Sequence, residues 1–171
     1  MLAAGTGITP MYQALDRMFG LEEQEHKDKE CKIEKTMKEN NQTRVILLYA
    51  SSTEKDIYFK KEMDNMKKRY PNRLEIIHVI SDKSATKNKP SNAIAESKFP
   101  RVIKDRINKL TIQKILDSNG INCNGNRNEA IQVWVCGPPS FYSDLCGSRD
   151  SKQLTGVLKD LNFQANEVVK F

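Results

Sequence analysis

The chain opens MLAAGTGITPMYQAL (residues 1–15), and the reading of GTGITP, residues 5–10, decides the fold. Gly5 and Gly7 carry no Cβ, so the backbone there can turn sharply and bring its N–H groups against an anion. Pro10 suits the first turn of a helix, whose positive end would face that anion. The pattern departs from G-x-G-x-x-G, because Pro10 stands where the third glycine would be, and a glycine-rich turn that only caps a helix remains an open reading. The acidic residue expected about twenty positions on is also misplaced, since Glu22, Glu23 and Glu25 lie in a charged run and not at a strand end. Only Met1 to Ala4 precede Gly5, so the first strand is expected to be truncated.

Outward from this turn, short continuous apolar runs alternate with helical patterns. VILLYA (45–50), LEIIHVI (74–80), IQVWVC (131–136) and EVVKF (167–171) read as buried strands. Helices are expected over Pro10 to Phe19, with Met11, Leu15, Met18 and Phe19 on one face and Gly20 beyond the end, and over Glu54 to Tyr70, with Phe59, Met63, Met66 and Tyr70 on one stripe. Thr53 and Asp56 have capping-box spacing. A third helix is expected over Ile103 to Leu116. A fourth has Ser151 as its cap and turns Leu154, Val157, Leu158 and Leu161 inward. The order β-α-β-α-β-α-β-α-β predicts a three-layer α/β/α domain with a five-stranded parallel sheet and right-handed crossovers.

The 171 residues suit one domain, 1–171. Net charge is +6, but the 29% of charged residues mix both signs in runs such as EEQEHKDKECKIEK, which reads as a solvated surface and not as a nucleic-acid footprint. Residues 21–43, 83–98 and 118–130 are Lys-, Glu-, Ser- or Asn/Gly-rich and read as flexible or disordered loop expansions without chemistry. Cys31, Cys123, Cys136 and Cys146 lack C-x-x-C spacing and point to reduced thiols in an intracellular protein, and His26 beside Cys31 has no partner ligands, so no metal is expected. No apolar run reaches the ~18 residues of a membrane span and no signal peptide opens the chain, so these residues are expected to be soluble and free of membrane contact.

The second informative stretch is CGPPSF (136–141), directly after IQVWVC. Ligands of parallel sheets bind at the carboxyl ends of strands, and this strand is expected beside the first one across the switch point. A thiol followed by Gly-Pro-Pro gives a stiff loop edge suited to a flat ring. A buried free cysteine before a rigid turn is the alternative.

GTGITPM, ASSTEKDIYFKKEM, CGPPSF and the ending QLTGVLKDLNFQANEVVKF together resemble the NAD(P)H-binding domain of the ferredoxin-reductase-like flavoenzymes, in the NADH-cytochrome b5 reductase branch. The ending is similar to its fungal mitochondrial members. The resemblance implies an oxidoreductase in which NADH passes hydride to FAD, and the flavin passes electrons to cytochrome b5 or a similar haem protein. It implies that the FAD-binding β-barrel, absent here, belongs to the same parent chain, that the present chain alone is inactive and monomeric, and that the full-length protein is held at the endoplasmic reticulum or mitochondrial outer membrane. The reductase modules of nitrate reductase and flavohaemoglobin share these motifs, and a non-catalytic nucleotide sensor is a further alternative.

The site residues follow from the same resemblance. Gly5, Thr6, Gly7 and Ile8 would hold the pyrophosphate and nicotinamide end, with Thr9 and Pro10 shaping the helix start. Ser52 and Thr53 would contact the nucleotide at the end of the second strand, Ser52 standing where relatives often have Gln. Asp82 would accept from a ribose hydroxyl and repel a 2′-phosphate, favouring NADH, with Lys83 tempering that preference; an exposed turn acid is its alternative. Cys136 is the catalytic candidate, orienting the nicotinamide rather than acting as a nucleophile. Gly137, Pro138, Pro139 and Phe141 would line the same pocket. Phe171 would lie near flavin and nicotinamide, or serve only as a core anchor, and Phe99 would flank the adenine.

Overall fold

The computed structural model describes residues 1–19, 43–81, 101–121 and 130–171. Its six strands are β1 (Leu2–Ala4), β2 (Val45–Ser51), β3 (Leu74–Ile80), β4 (Arg101–Ile103), β5 (Val133–Cys136) and β6 (Val168–Lys170). They form one sheet in the order β4-β3-β2-β1-β5-β6, and every neighbouring pair is parallel. The order reverses at β1, where β2 lies on one side and β5 on the other, as expected from the sequence. The sheet has one strand more than the five expected. β4 is only three residues long, too short to show a periodicity, and it takes the start of the segment expected to be the third helix.

Helices cover both faces, which is why the central strands read as continuous apolar runs. On one face lie α1 (Ile8–Phe19) and α2 (Lys60–Arg69). Met11, Leu15 and Phe19 of α1 and Met63 and Met66 of α2 are buried against Leu47, Tyr49, Leu74 and Ile76. Each such side chain contributes about 1.5–3 kcal/mol relative to exposure. On the other face lie α3 (Lys109–Ser118), α4 (Pro139–Leu145) and α5 (Gly156–Asp160), whose Ile112, Ile115, Leu145 and Leu158 pack on Leu48, Ile77, Val79 and Val135.

Local chemistry sets the helix ends. Asn108 caps α3 by accepting from the Thr111 N–H at 2.9 Å, and Gly120, at φ +74°, lets the chain leave it in the left-handed region. Thr53 and Asp56 do form their box, but around a single 3-10 turn, Glu54–Asp56, and α2 begins only at Lys60. The break falls at Phe59, which holds φ +56°. Its ring lies outside the core, 38% exposed, and stacks on Tyr12 at 4.1 Å with planes 9° apart. The last helix also starts later than expected, with Thr155 at its cap in place of Ser151, whose hydroxyl instead accepts from the Gln153 N–H at 3.1 Å. Gly20 and most of the three expansions lie outside the described residues. No helix of the described residues is long and apolar enough to cross a membrane.

Candidate functional site

β1 and β5 are neighbours, with Leu2 opposite Val135 and Ala3 opposite Cys136. Their carboxyl ends therefore deliver the Gly5–Gly7 turn and the Cys136–Pro139 turn side by side. The first two glycines serve different needs. Gly5 holds φ +55°, where a Cβ is strained, and a Cβ built on it would meet nothing within 4 Å, so the space above it is open. A Cβ on Gly7 would lie 2.2 Å from the Cys136 carbonyl oxygen and 2.5 Å from its carbon. The two turns touch backbone to backbone there, which no other residue would allow. On the far side of the contact, Gly137 faces the Phe141 ring and Ala4.

Helix α1 leaves directly from this turn. Thr6 and Thr9 are exposed, and the Thr9 hydroxyl donates to the Thr6 carbonyl at 3.0 Å, fixing the first turn. Ile8 differs from its neighbours: its N–H points to the Gly5 and Thr6 carbonyls and its side chain is buried in the core beneath α1. An open, left-handed glycine at the positive end of a twelve-residue helix fits a phosphate group.

At the end of β2, Ser52 and Thr53 are exposed. The Thr53 N–H and hydroxyl both donate to Asp56 Oδ2, at 3.0 and 2.9 Å. Ser51, which the sequence did not single out, points inward, and its buried hydroxyl has no hydrogen-bond partner among the described residues. Asp82, Lys83 and Phe99 lie outside the described residues.

The third corner joins β5, α4 and β6. Cys136 is half-buried, while Pro138 and Pro139 are exposed at the start of α4. The Phe171 N–H donates to the Val135 carbonyl at 3.1 Å, and its ring tilts 52° against Trp134 at 5.3 Å. The Tyr142 phenol donates to the Phe171 main-chain oxygen. Burial pushes the Tyr142 pKa up, and the neighbouring Cys136 pushes it further. Sequence reasoning stopped at Phe141 and missed Tyr142. The available signal was a phenol on the inward side of a helix, which must find a partner when buried.

These groups can bind and orient a flat, anionic ligand. Among the described residues no three His, Cys, Asp or Glu side chains gather where they could hold a metal.

Residues 1–147 match the oxidoreductase NAD-binding domain, and the chain belongs to that family. Within it, the chain is 34% identical to NADH-cytochrome b5 reductase 2 of Candida glabrata, over all of this chain and 46% of that protein. It is 27% identical to NADH-cytochrome b5 reductase 2 of Coccidioides immitis, over all of this chain and 42% of that protein. The fold is similar to the cytochrome b5 reductase domain of Ulva prolifera nitrate reductase, with a TM-score of 0.59 at 20% identity, covering all of this chain and 48% of that one. The chain thus spans a little under half the length of the relatives it matches.

Proposed function

We propose that this chain is the NADH-binding half of a flavin reductase of the cytochrome b5 reductase type. The observation that carries the reading is the contact between Gly7 and Cys136, which joins an anion-accepting turn and a thiol-bearing turn at the switch point of a parallel sheet. Gly5, Thr6 and the first turn of α1 bind the pyrophosphate, and Ser52 lies where the nucleotide leaves β2. Cys136, Pro138 and Pro139 border the nicotinamide and fix which face it presents. NADH supplies the hydride and FAD accepts it, so the chemistry belongs to the cofactors and the chain contributes position and electrostatics. The flavin domain and the surface for cytochrome b5 or a similar haem protein then lie with the remaining half of such an enzyme. An intracellular membrane anchor, at the endoplasmic reticulum or the mitochondrial outer membrane, is part of the same reading.

The test is a titration of the purified chain with NADH and NADPH, followed by Trp134 fluorescence. Trp134 precedes Cys136 by two residues and packs on Phe171, so an occupied site changes its surroundings. Saturable quenching, stronger with NADH, is expected. A folded chain that shows no saturation with either would overturn the reading. The division of labour predicts negligible NADH–ferricyanide turnover by this chain alone, and robust turnover without added flavoprotein would refute it.

A further inference from the structure

We propose that Tyr142 is a positioning residue, whose phenol ties the main chain at Phe171 to the Cys136 turn and so holds thiol and aromatic ring in a fixed relation at the carboxyl edge of β5. The consequence for cofactor binding rests on the dinucleotide reading above; the tie itself does not.

The geometry is unusual in crossing the sheet. Tyr142 is 4% exposed and belongs to the aliphatic core beneath α4, with Leu145 and Val135. Phe171 packs on the opposite side, where its ring meets Trp134 and the α1 face. The phenol passes the end of the sheet to reach the Phe171 main-chain oxygen. The Phe171 N–H is held at the same time by the Val135 carbonyl, one residue before Cys136. Phe171 is therefore fixed at both main-chain polar groups by the β5–α4 unit that carries Cys136. β6 needs such a fastening, because it is a three-residue strand with only β5 beside it among the described residues.

The phenol has one proton, and the Phe171 oxygen takes it. Burial, together with the neighbouring Cys136, raises the Tyr142 pKa, so the phenol keeps that proton. Without the phenol, Phe171 keeps its N–H bond to Val135 but loses its tie to α4, and the half-buried Cys136 thiol of the same turn is less confined.

The experiment compares the wild-type chain with Tyr142→Phe, which keeps the ring and removes only the hydroxyl. Iodoacetamide alkylation is followed by mass spectrometry at Cys136 and at Cys146, the fully buried thiol at the end of α4. Cys136 is expected to react about fivefold faster in the variant, the equivalent of one net hydrogen bond, with Cys146 unchanged. A Cys136 rate within twofold of wild type would overturn the proposal. So would a parallel rise at Cys146, which marks general loosening of α4. Tyr142→Leu serves as a packing control: it must raise both rates for the Cys146 readout to stand. The NADH titration is run on the same samples. Failure of wild type to bind NADH refutes the dinucleotide reading while the alkylation ratio still decides the tie.

Discussion

Beneath α3, α4 and α5 the sheet is buried under mostly aliphatic side chains, and the one buried phenol there among the described residues, Tyr142, is bonded to Phe171. Beneath α1 and α2 the same strands bury Ser51, His78 and Lys67 together with the phenol of Tyr49. His78 is 0% exposed, and neither ring nitrogen has a hydrogen-bond partner among the described residues; its ring meets the edge of Tyr49 at 6.1 Å. Lys67 sends its ammonium to the Ile76 carbonyl at 3.3 Å. On the first face the buried ionisable groups, Tyr142 and Cys146, have their pKa values raised by burial, so they stay neutral and the face is insensitive to pH at and below neutrality. On the second face, buried His78 makes stability depend on protonation. The two meet at one seam, where the turn that starts α1 touches the turn that starts α4.

Pressing on that seam tests whether the faces are independent. Gly7→Ala places a methyl 2.2 Å from the Cys136 carbonyl oxygen, a backbone atom that cannot swing aside. One turn must move, and a cost of about 3 kcal/mol with loss of nucleotide binding is expected. Gly5→Ala meets no atom and suffers only the left-handed backbone, about 1 kcal/mol. Urea melts of the two variants check the order. Equal costs would mean that the turns are not locked together.

Truncation within the aliphatic face is expected to be costly and independent of pH wherever Tyr142 and Cys146 stay neutral. Leu158→Ala removes a side chain that is 1% exposed and should cost about 2–4 kcal/mol. Its effect, measured at pH 5.5 and 8, should not change. A pH-dependent difference would show that this face also senses protons.

On the polar face the sign is opposite. Burial lowers the His78 pKa from its ordinary 6.5; Lys60 and Lys67 lower it further, while Asp64 and Glu54 oppose them. A depressed pKa means that the unfolded state binds the proton more tightly. The stability due to neutral His78 is therefore complete above pH 6.5 and is lost as pH falls through the folded value. His78→Leu removes the proton site and two unbonded nitrogens. It should leave stability at pH 8 unchanged or higher and flatten the decline below pH 6.5, as read from melting temperature against pH. The buried Met1 amine, pushed down to about 5, adds an acid loss of its own, but it is present in both proteins and cancels from the difference. An unchanged acid limb would place the sensitivity elsewhere.

The strand runs and α1 were the legible part of the fold, whereas each helix of the apolar face starts later than expected or was not expected at all. Runs such as IQVWVC and the Leu154-Leu158-Leu161 stripe announce themselves by pattern, because pattern is all that packing requires. β4 and α4 did not, being too short for a period, and Pro138-Pro139 read as a stiff loop when Pro139 in fact opens a helix. The glycine turns were legible as turns, but their mutual contact was not, since Gly7 and Cys136 are neighbours only once β1 lies beside β5. Tyr142 and His78 were hidden for the same reason: a polar residue inside an apolar stretch shows its role only through partners distant in the chain.

The smallest effect falls at Thr53, on the polar side's surface, and it separates two roles expected of one residue, turn cap and nucleotide contact. Its hydroxyl proton is spent on Asp56 Oδ2, which the Thr53 N–H also reaches. If the side chain acts mainly as a cap, Thr53→Val should cost about 0.5–1 kcal/mol, with NADH affinity unchanged. Thr53→Ser, which keeps the hydroxyl, should restore stability. If the residue also contacts the nucleotide, affinity will fall in Thr53→Val and return in Thr53→Ser. Because the hydroxyl is already engaged in the turn and the turn is exposed, the first outcome is expected, leaving Ser52 as the side chain at this strand end with a hydroxyl to offer a ligand.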